Sequence, residues 1–318
     1  MPLPFTVARG APPSWRGALV LSLFATACAS TPLARRATLI TSADNAAKAA
    51  IARENTLDPA SIPPRTFAVT PFRVADSDTL LRPLGFGLAD LLMSDLAKSP
   101  SLRLVERLQT NAILRELDLV DQGITDPRQA PRVGRLVGAR RLLIGDASRG
   151  PNGTVRLSAR VVDVIGGTVQ QLVDAEAPLD RVIDAEKALA LLLFERLGIT
   201  LTPAQRASIE QRQTTQLAAL VAYGRGVQSE AKGDAAGATA AFEDAARLDV
   251  AFTAARAQAT AAPAASQSSQ RANAVARVIE IATQAVNAPV AIKPPEAVDA
   301  PLAANSLLSI LITVRVTP

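Results

Sequence analysis

The 318-residue chain contains no histidine, one cysteine, one tryptophan and one tyrosine, and aromatic residues make up only 3% of it. Each shortage removes chemistry. Without histidine there is no imidazole to act as a general base near neutral pH. A lone cysteine cannot close an internal disulfide, and without histidine the common zinc ligand sets cannot be assembled. Catalysis would fall to carboxylates, lysine or serine, and no cofactor or metal site is expected. The cores must be aliphatic, built from a hydrophobic content of 48% that suffices for one or two packed domains. Lysine and arginine outnumber the acids by 34 to 29, a net charge of +5. These cations are scattered and lack interleaved aromatics, so no nucleic-acid partner is expected.

What is present begins with that one cysteine. Arg9 and Arg16 precede the apolar run Gly17-Ala-Leu-Val-Leu-Ser-Leu-Phe24, which is followed by Ala25-Thr26-Ala27-Cys28. A basic start, a short apolar centre and small residues before a cut are the layout of a secretory signal. The run is far shorter than the roughly 20 residues of a membrane-spanning helix. Cys28 after small residues resembles a lipobox, whose thiol takes a diacylglycerol and becomes the new N-terminus. The usual lipobox has leucine where this chain has Ala25. An ordinary signal peptide with an unpaired cysteine at its cut is the alternative. Ala29 follows the cysteine, and the absence of aspartate there favours the outer membrane.

Beyond the signal (residues 1–27) the chain reads in four parts. Residues 28–64 are rich in Ala, Ser, Thr and Pro and read as a tether between lipid and domain, with a short helix over 44–54 as an option. Residues 65–201 carry fold signals. A strand is predicted over 66–74, then an amphipathic helix over 80–97 from the spacing of Leu84, Leu88, Leu91, Leu92 and Leu96. A strand follows over 102–107, then helices over 111–119 and 126–137. Strands over 139–147, 154–165 and 168–177 are joined by the turn signals Pro151-Asn-Gly153 and Gly166-Gly167. A helix over 180–197 ends at Gly198. The fold class is α+β, a mixed or antiparallel sheet with packed helices.

The order of short blocks in this part resembles the CsgG/HfaB family. The blocks are Phe67-Ala-Val-Thr-Pro-Phe72, Leu84-Gly-Phe-Gly-Leu-Ala-Asp-Leu-Leu92, Leu104-Val-Glu-Arg107, Leu114-Arg-Glu116, Val133-Gly-Arg-Leu-Val-Gly-Ala139 and Ile144-Gly145. Flagellar FlgO-like and TolB N-terminal-like periplasmic domains share much of this pattern. The resemblance implies an outer-membrane lipoprotein of the kind that serves curli export or holdfast attachment. It also implies two long barrel hairpins in the pore-forming members, each upwards of 20 residues. The places for them here, at 146–153 and 173–180, are too short. A periplasmic relative without the pore is expected.

Residues 202–262 read as helical throughout. Gly226, Ala238, Phe242 and Ala245 match four positions of a tetratricopeptide repeat, with Gly233-Asp234 at the turn. Ala222, Arg225, Ser229 and Val250 depart from that pattern. A plain helical hairpin is the alternative, and a solitary repeat needs something to cover its apolar face. Tyr223, Gly226 and Phe242 are the residues nominated to bind a partner. Residues 263–318 form an Ala/Pro-rich tail, with a helix expected over 271–286 and a strand over 307–316 that joins the sheet or a partner.

Asp76, Asp78, Asp90, Glu106 and Arg107 are weighed as chemistry and read as solvated or structural groups. Gly85-Phe-Gly87 lacks the lysine of a phosphate loop. The expectation is a non-enzymatic, outer-membrane-anchored periplasmic lipoprotein acting as an adaptor in envelope biogenesis, secretion or curli-like surface assembly. The alternative is a subunit of a CsgG-type secretion channel. Its partners would be envelope proteins, and the membrane through an N-terminal lipid, with homo-oligomerisation left open.

Overall fold

The computed structural model describes residues 31–74, 78, 79, 81–121 and 127–260. Cys28, Asp76 and the expected elements over 271–286 and 307–316 lie outside these residues. The described chain is an α+β structure built on one mixed sheet. Its strands are β1 (Thr66–Val69), β2 (Arg73–Val74), β3 (Arg103–Leu104), β4 (Arg141–Arg149), β5 (Thr154–Asp163) and β6 (Val169–Pro178). The strand order is β3-β1-β4-β5-β6, with β2 continuing beside β4.

β1 pairs parallel with both β3 and β4, so each connection must cross over with a helix. Helix α2 (Leu81–Leu96) makes the first crossover; α3 (Arg107–Glu116) and α4 (Ala130–Val137) make the second. β4, β5 and β6 are antiparallel neighbours. The turn between β4 and β5 is tight because Asn152 and Gly153 both take left-handed backbone, at φ 58° and 77°. The strand predicted over 66–74 is interrupted at Pro71, which has no N–H for the ladder. Phe72 instead donates its N–H to the carbonyl of Gly85 inside α2, at 3.2 Å.

One face of the sheet is covered by α2 and by α5 (Val182–Arg196). Leu84, Leu88, Leu91 and Leu92 of α2 meet Leu157, Val161 and Val173 of the strands and Leu189 and Leu193 of α5 in one apolar cluster. The other face is covered at one end only, where α3 and α4 close over Leu142, Ile144 and Val162. The remainder of that second face, from Asp146 to Glu176, is polar and open.

After α5 come α6 (Pro203–Glu210), α7 (Leu217–Ala231), α8 (Ala235–Leu248) and α9 (Thr253–Ala259). Residues 202–262 are not helical throughout, because Gln211 turns extended after α6 and the helix resumes only at Leu217. Gly233, at φ 84°, and Asp234, which accepts from the N–H of Gly237, make the α7–α8 turn. Phe242 and Phe252 of this region are fully buried in the same cluster as the leucines of α2, so the apolar core runs through both regions without a break. Burying each such side chain stabilises by about 1.5–3 kcal/mol.

The largest difference from the sequence reading is at the N-terminal end. Residues 32–52, expected as a tether, form the 21-residue helix α1 (Pro32–Ala52), capped by the Thr31 hydroxyl. It packs along α3 and reaches α8. Its buried residues are Arg36, Ile40 and Ala47, so the face that docks is sparse and one of its anchors is an arginine. Apolar periodicity alone could not reveal it.

Candidate functional site

The described residues contain no group of His, Cys, Asp and Glu able to hold a metal ion. The polar chemistry of the chain concentrates instead where α1, α2, α3 and the α7–α8 hairpin meet. Two glycines make that meeting close. A Cβ on Gly224 of α7 would lie 2.1 Å from the carbonyl oxygen of Pro83, and one on Gly87 would lie 3.1 Å from Gly224 Cα. Helices α2 and α7 therefore touch backbone to backbone, and only glycine fits at the crossing.

Beside this crossing lies a buried chain of charges. Tyr223 donates its hydroxyl to Asp90. Arg107 Nε lies 2.7 Å from Asp90 Oδ1, and its Nη2 lies 2.6 Å from Glu230 Oε2. Glu230 also pairs with Arg36 of α1. Arg36 donates further to Thr239 Oγ1, at 3.2 Å, and to the carbonyl of Gln258. Its guanidinium stands 4.7 Å from the centre of the Phe242 ring. Two acids thus meet two guanidiniums, and the four charges balance within the core. Burial, with the neighbouring Arg107 cation, lowers the Arg36 pKa to about 10. Burial, with Asp90 beside it, holds the Tyr223 phenol well above its ordinary value. Both groups keep one protonation state through the physiological range.

Arg115 extends the junction. It donates to the carbonyls of Glu230 and Ala231 at the C-terminal end of α7 and pairs with Asp44 of α1. A cation at a helix C-terminus also meets the negative end of its dipole.

A second buried cluster lies farther along α2. Asp95 is 2.7 Å from Lys98 Nζ and 2.5 Å from Lys187 Nζ, and Lys187 is 3.1 Å from Glu186. Burial, with Asp95 nearby, pushes the Glu186 carboxyl up to about 8. Burial works to lower the Lys187 pKa, but the carboxylates of Glu186 and Asp95 outweigh it and the net shift is upward. Lys98 also donates to the carbonyl of Ser208, at 2.5 Å, which ties α6 to the end of α2.

The nominated partner-binding residues need correction. Tyr223 and Phe242 are 2% and 0% exposed, and Gly226 is buried because a Cβ there would strike the Phe242 ring at 2.6 Å. What they contact is this chain's own α2, α1 and α8. These side chains are thus occupied within the chain, and the apolar face of the hairpin is covered by it. Asp90, read as a solvated or structural group, is buried and paired. Asp78 caps the start of α2 by accepting from Leu81 N–H at 2.9 Å, and it pairs with Arg149. Glu106 precedes α3 without a side-chain cap, and burial raises its pKa. Arg36 and Glu230 went unnoticed in the sequence. The only signal for either was a charge at an otherwise apolar helical position.

Two surfaces remain open. A groove of about 200 Å³ lies between the start of α5 and the α6–α7 connection; among its lining residues Arg212 and Asp184 neutralise each other at 2.6 and 2.9 Å. The other is the uncovered sheet face, where Arg73, Asp146 and Arg160 form one ion-pair row and Arg156 and Glu176 another. Leu172, on the same face, is 58% exposed.

No curated protein matches the chain. Among solved structures, the LpoB C-terminal domain from Salmonella enterica is 20% identical, with 36% of this chain and 83% of that one covered at a TM-score of 0.30. The NMR structure of E. coli LpoB is 15% identical over 56% and 85% of the two chains, at a TM-score of 0.32. Lipoprotein GNA1162 from Neisseria meningitidis is 15% identical over 44% of this chain and all of its own, at 0.29. The family comparison falls on the strands and crossover helices described above: residues 64–149 match the family described as curli production assembly/transport component CsgG, and the chain carries a CsgG-like domain there.

Proposed function

We propose that this chain is a lipoprotein of the outer membrane, lipidated at Cys28 and facing the periplasm, that acts without catalysis as an assembly or adaptor component in envelope biogenesis, secretion or surface-structure assembly. The lipobox-like stretch before Cys28 and the CsgG-like domain support this reading together. The observation that carries it furthest is the start of α1 at Pro32, with only Ala29, Ser30 and Thr31 between it and Cys28. Four residue steps span at most about 14 Å. Since α1 is bolted to the body through Arg36, a lipid on Cys28 would hold the whole body against the bilayer. Such a protein meets its partner at the membrane surface, not across the periplasm.

The test is Cys28→Ser. The variant should leave the membrane fraction and appear in the periplasm with unchanged thermal unfolding. Mass spectrometry of the mature native chain should show a diacylglyceryl cysteine at its N-terminus. Retention of the variant in the membrane, or an unmodified N-terminus, overturns the reading. A channel subunit is the competing function. Strands β4–β6 argue against it, because one face lies under α5 and the other carries Asp146, Arg156, Arg160 and Glu176. Neither face offers lipid an apolar band. Conductance across a planar bilayer by the purified protein would decide for the channel.

A further inference from the structure

Lys187 of α5 is the one buried lysine among the described residues. Its Nζ lies 2.5 Å from Oδ2 of Asp95, on α2, and 3.1 Å from Oε2 of Glu186, and neither carboxyl reaches the surface. Glu186 also stands beside Asp95. The neighbouring turns of the two helices give Leu91, Leu92, Leu189 and Ala190 to the apolar core, so the three groups meet away from water. Lys98, partly exposed, holds the other Asp95 oxygen, Oδ1, at 2.7 Å. Stability alone is a weak account of this cluster, because a buried ion pair seldom gains more than its desolvation costs. The arginine cluster can do nothing further, since a guanidinium keeps its protons. A lysine amine that gives up a proton becomes a nucleophile.

We propose that Lys187 and Asp95 condense, with loss of water, into an isopeptide bond that joins α5 to α2. Lys187 first passes one proton to Oδ2 of Asp95, and burial favours the neutral amine and acid over two separate charges. The Nζ lone pair then adds to Cγ of Asp95. That carbon is one C–O bond beyond Oδ2, so it stands at most about 3.7 Å from Nζ, close to a near-attack contact of ~3–3.5 Å. Negative charge develops on Oδ1, where the Lys98 ammonium stabilises it. Glu186 holds its proton at neutral pH, because burial pushes its carboxyl up to about 8. It gives that proton to the Oδ2 hydroxyl, the Cγ–Oδ2 bond breaks and water leaves. Glu186 takes a proton back from Nζ as the amide forms. One N–C bond is made, one C–O bond is broken, and nothing is oxidised or reduced. The two carboxylates raise the Lys187 pKa, so at any moment nearly every chain has it charged. Condensation is therefore slow, and freshly folded protein carries the three side chains unjoined. The finished bond ties together residues 92 positions apart in the sequence.

The experiment ages the full chain. Freshly purified protein is kept warm near neutral pH, and samples are taken for intact mass and for tryptic peptide mapping. Aged protein should be lighter than fresh protein by one water. The map should show the peptide that contains Asp95 joined covalently to the one that contains Lys187. On a denaturing gel the joined form should run ahead of the fresh chain. Lys187→Arg keeps a cation beside Asp95 and should keep its full mass. Glu186→Gln should lose water at least tenfold more slowly, because an amide has no carboxyl proton for the leaving oxygen. Three results would each overturn the proposal: unchanged mass in the aged parent, water lost within a single peptide, as from a cyclic imide at an aspartate, or equal rates in the parent and Glu186→Gln. The parent measurement needs no variant to fold. Neither it nor the peptide map depends on lipidation of Cys28, which the membrane-release assay tests separately.

Discussion

Asp90 and Asp95 stand five residues apart on α2, and each lies at the centre of a buried polar cluster, yet the two clusters are built differently. Around Asp90 the cations are arginines. Each guanidinium has several donors in a fixed fork, so Arg107 reaches both Asp90 and Glu230, and Arg36 reaches Glu230, Thr239 and Gln258. Around Asp95 the cations are lysines, compact charges at the end of flexible stems, and they converge on one carboxylate. The arginine cluster joins residues 36, 90, 107 and 230, drawn from four helices, and so fixes how the N-terminal helix and the α7–α8 hairpin sit on the CsgG-like domain. The lysine cluster joins the C-terminal part of α2 to α5. It leaves Glu186 in a place where its charge is poorly tolerated. One cluster is a structural lock between distant segments, and the other contains a titrating group.

The sharpest way to break the lock is Glu230→Ala, which leaves Arg36 and Arg107 buried without the acid that joins them. Removing one member of a buried ion pair typically costs 3–5 kcal/mol, so a loss of about 4 kcal/mol is expected in urea unfolding. Helix α1 should also become protease-sensitive, because Arg36 loses its main anchor. If α1 stays protected, the lock is held by apolar packing and not by charge.

Gly224→Ala attacks the same junction through space. Its Cβ would stand 2.1 Å from the Pro83 carbonyl oxygen, and backbone cannot swing aside as a flexible side chain can. A loss of about 2–3 kcal/mol is expected from such overpacking. Gly138→Ala is the contrast: nothing lies near its Cβ, and only the left-handed backbone at φ 71° resists the change. That costs about 1–2 kcal/mol. Equal losses at the two sites would mean that the crossing can open without cost.

Tyr223→Phe is milder. It removes one hydrogen bond to Asp90 and keeps the ring against Phe242 and Phe252, whose centres are 5.3 and 4.9 Å away. Asp90 retains Arg107. A loss of about 1–2 kcal/mol is expected, read from the urea midpoint at constant slope.

The same contrast explains what could be read from the sequence. The leucines of α2 and the apolar residues of α5 recur at helical spacing, so both helices were found to within two residues of their observed ends. β4, β5 and β6 were found from alternation and from the turns at Pro151–Gly153 and Gly166-Gly167. The repeat spacing placed Gly226 and Phe242 on the two helices of the hairpin, though as residues for a partner and not as neighbours of each other. What was not legible is long-range. Helix α1 presents few apolar residues and docks through Arg36, whose partner lies 194 residues away. Gly87 and Gly224 reveal a need for close approach but not which helices approach. Tyr223 was assigned to a partner because a lone tyrosine on a helix gives no sign of its acceptor on α2.

At pH 5 Glu186→Gln should give the smallest effect of these variants, and its effect alone depends on pH near neutrality. The carboxyl titrates at about 8 in the folded protein, against an ordinary value of 4.5. Folding therefore takes up a proton between these values, and the stability associated with the neutral form is complete below about 4.5 and lost as pH rises through 8. Asp95 on α2 and Lys187 on α5 face the same space, and Lys187, with its pKa raised, stays charged throughout this window. Glutamine keeps the shape and never ionises. The variant should stay close to the parent at pH 5 and gain about 3 kcal/mol over it by pH 8, measured as a flatter dependence of the urea midpoint on pH. Glu230→Gln, in the arginine cluster, should do the reverse and lose stability at both pH values. If Glu186→Gln also loses stability at both, the lysine cluster is a second lock, and the distinction drawn between arginine and lysine on the two sides of α2 fails.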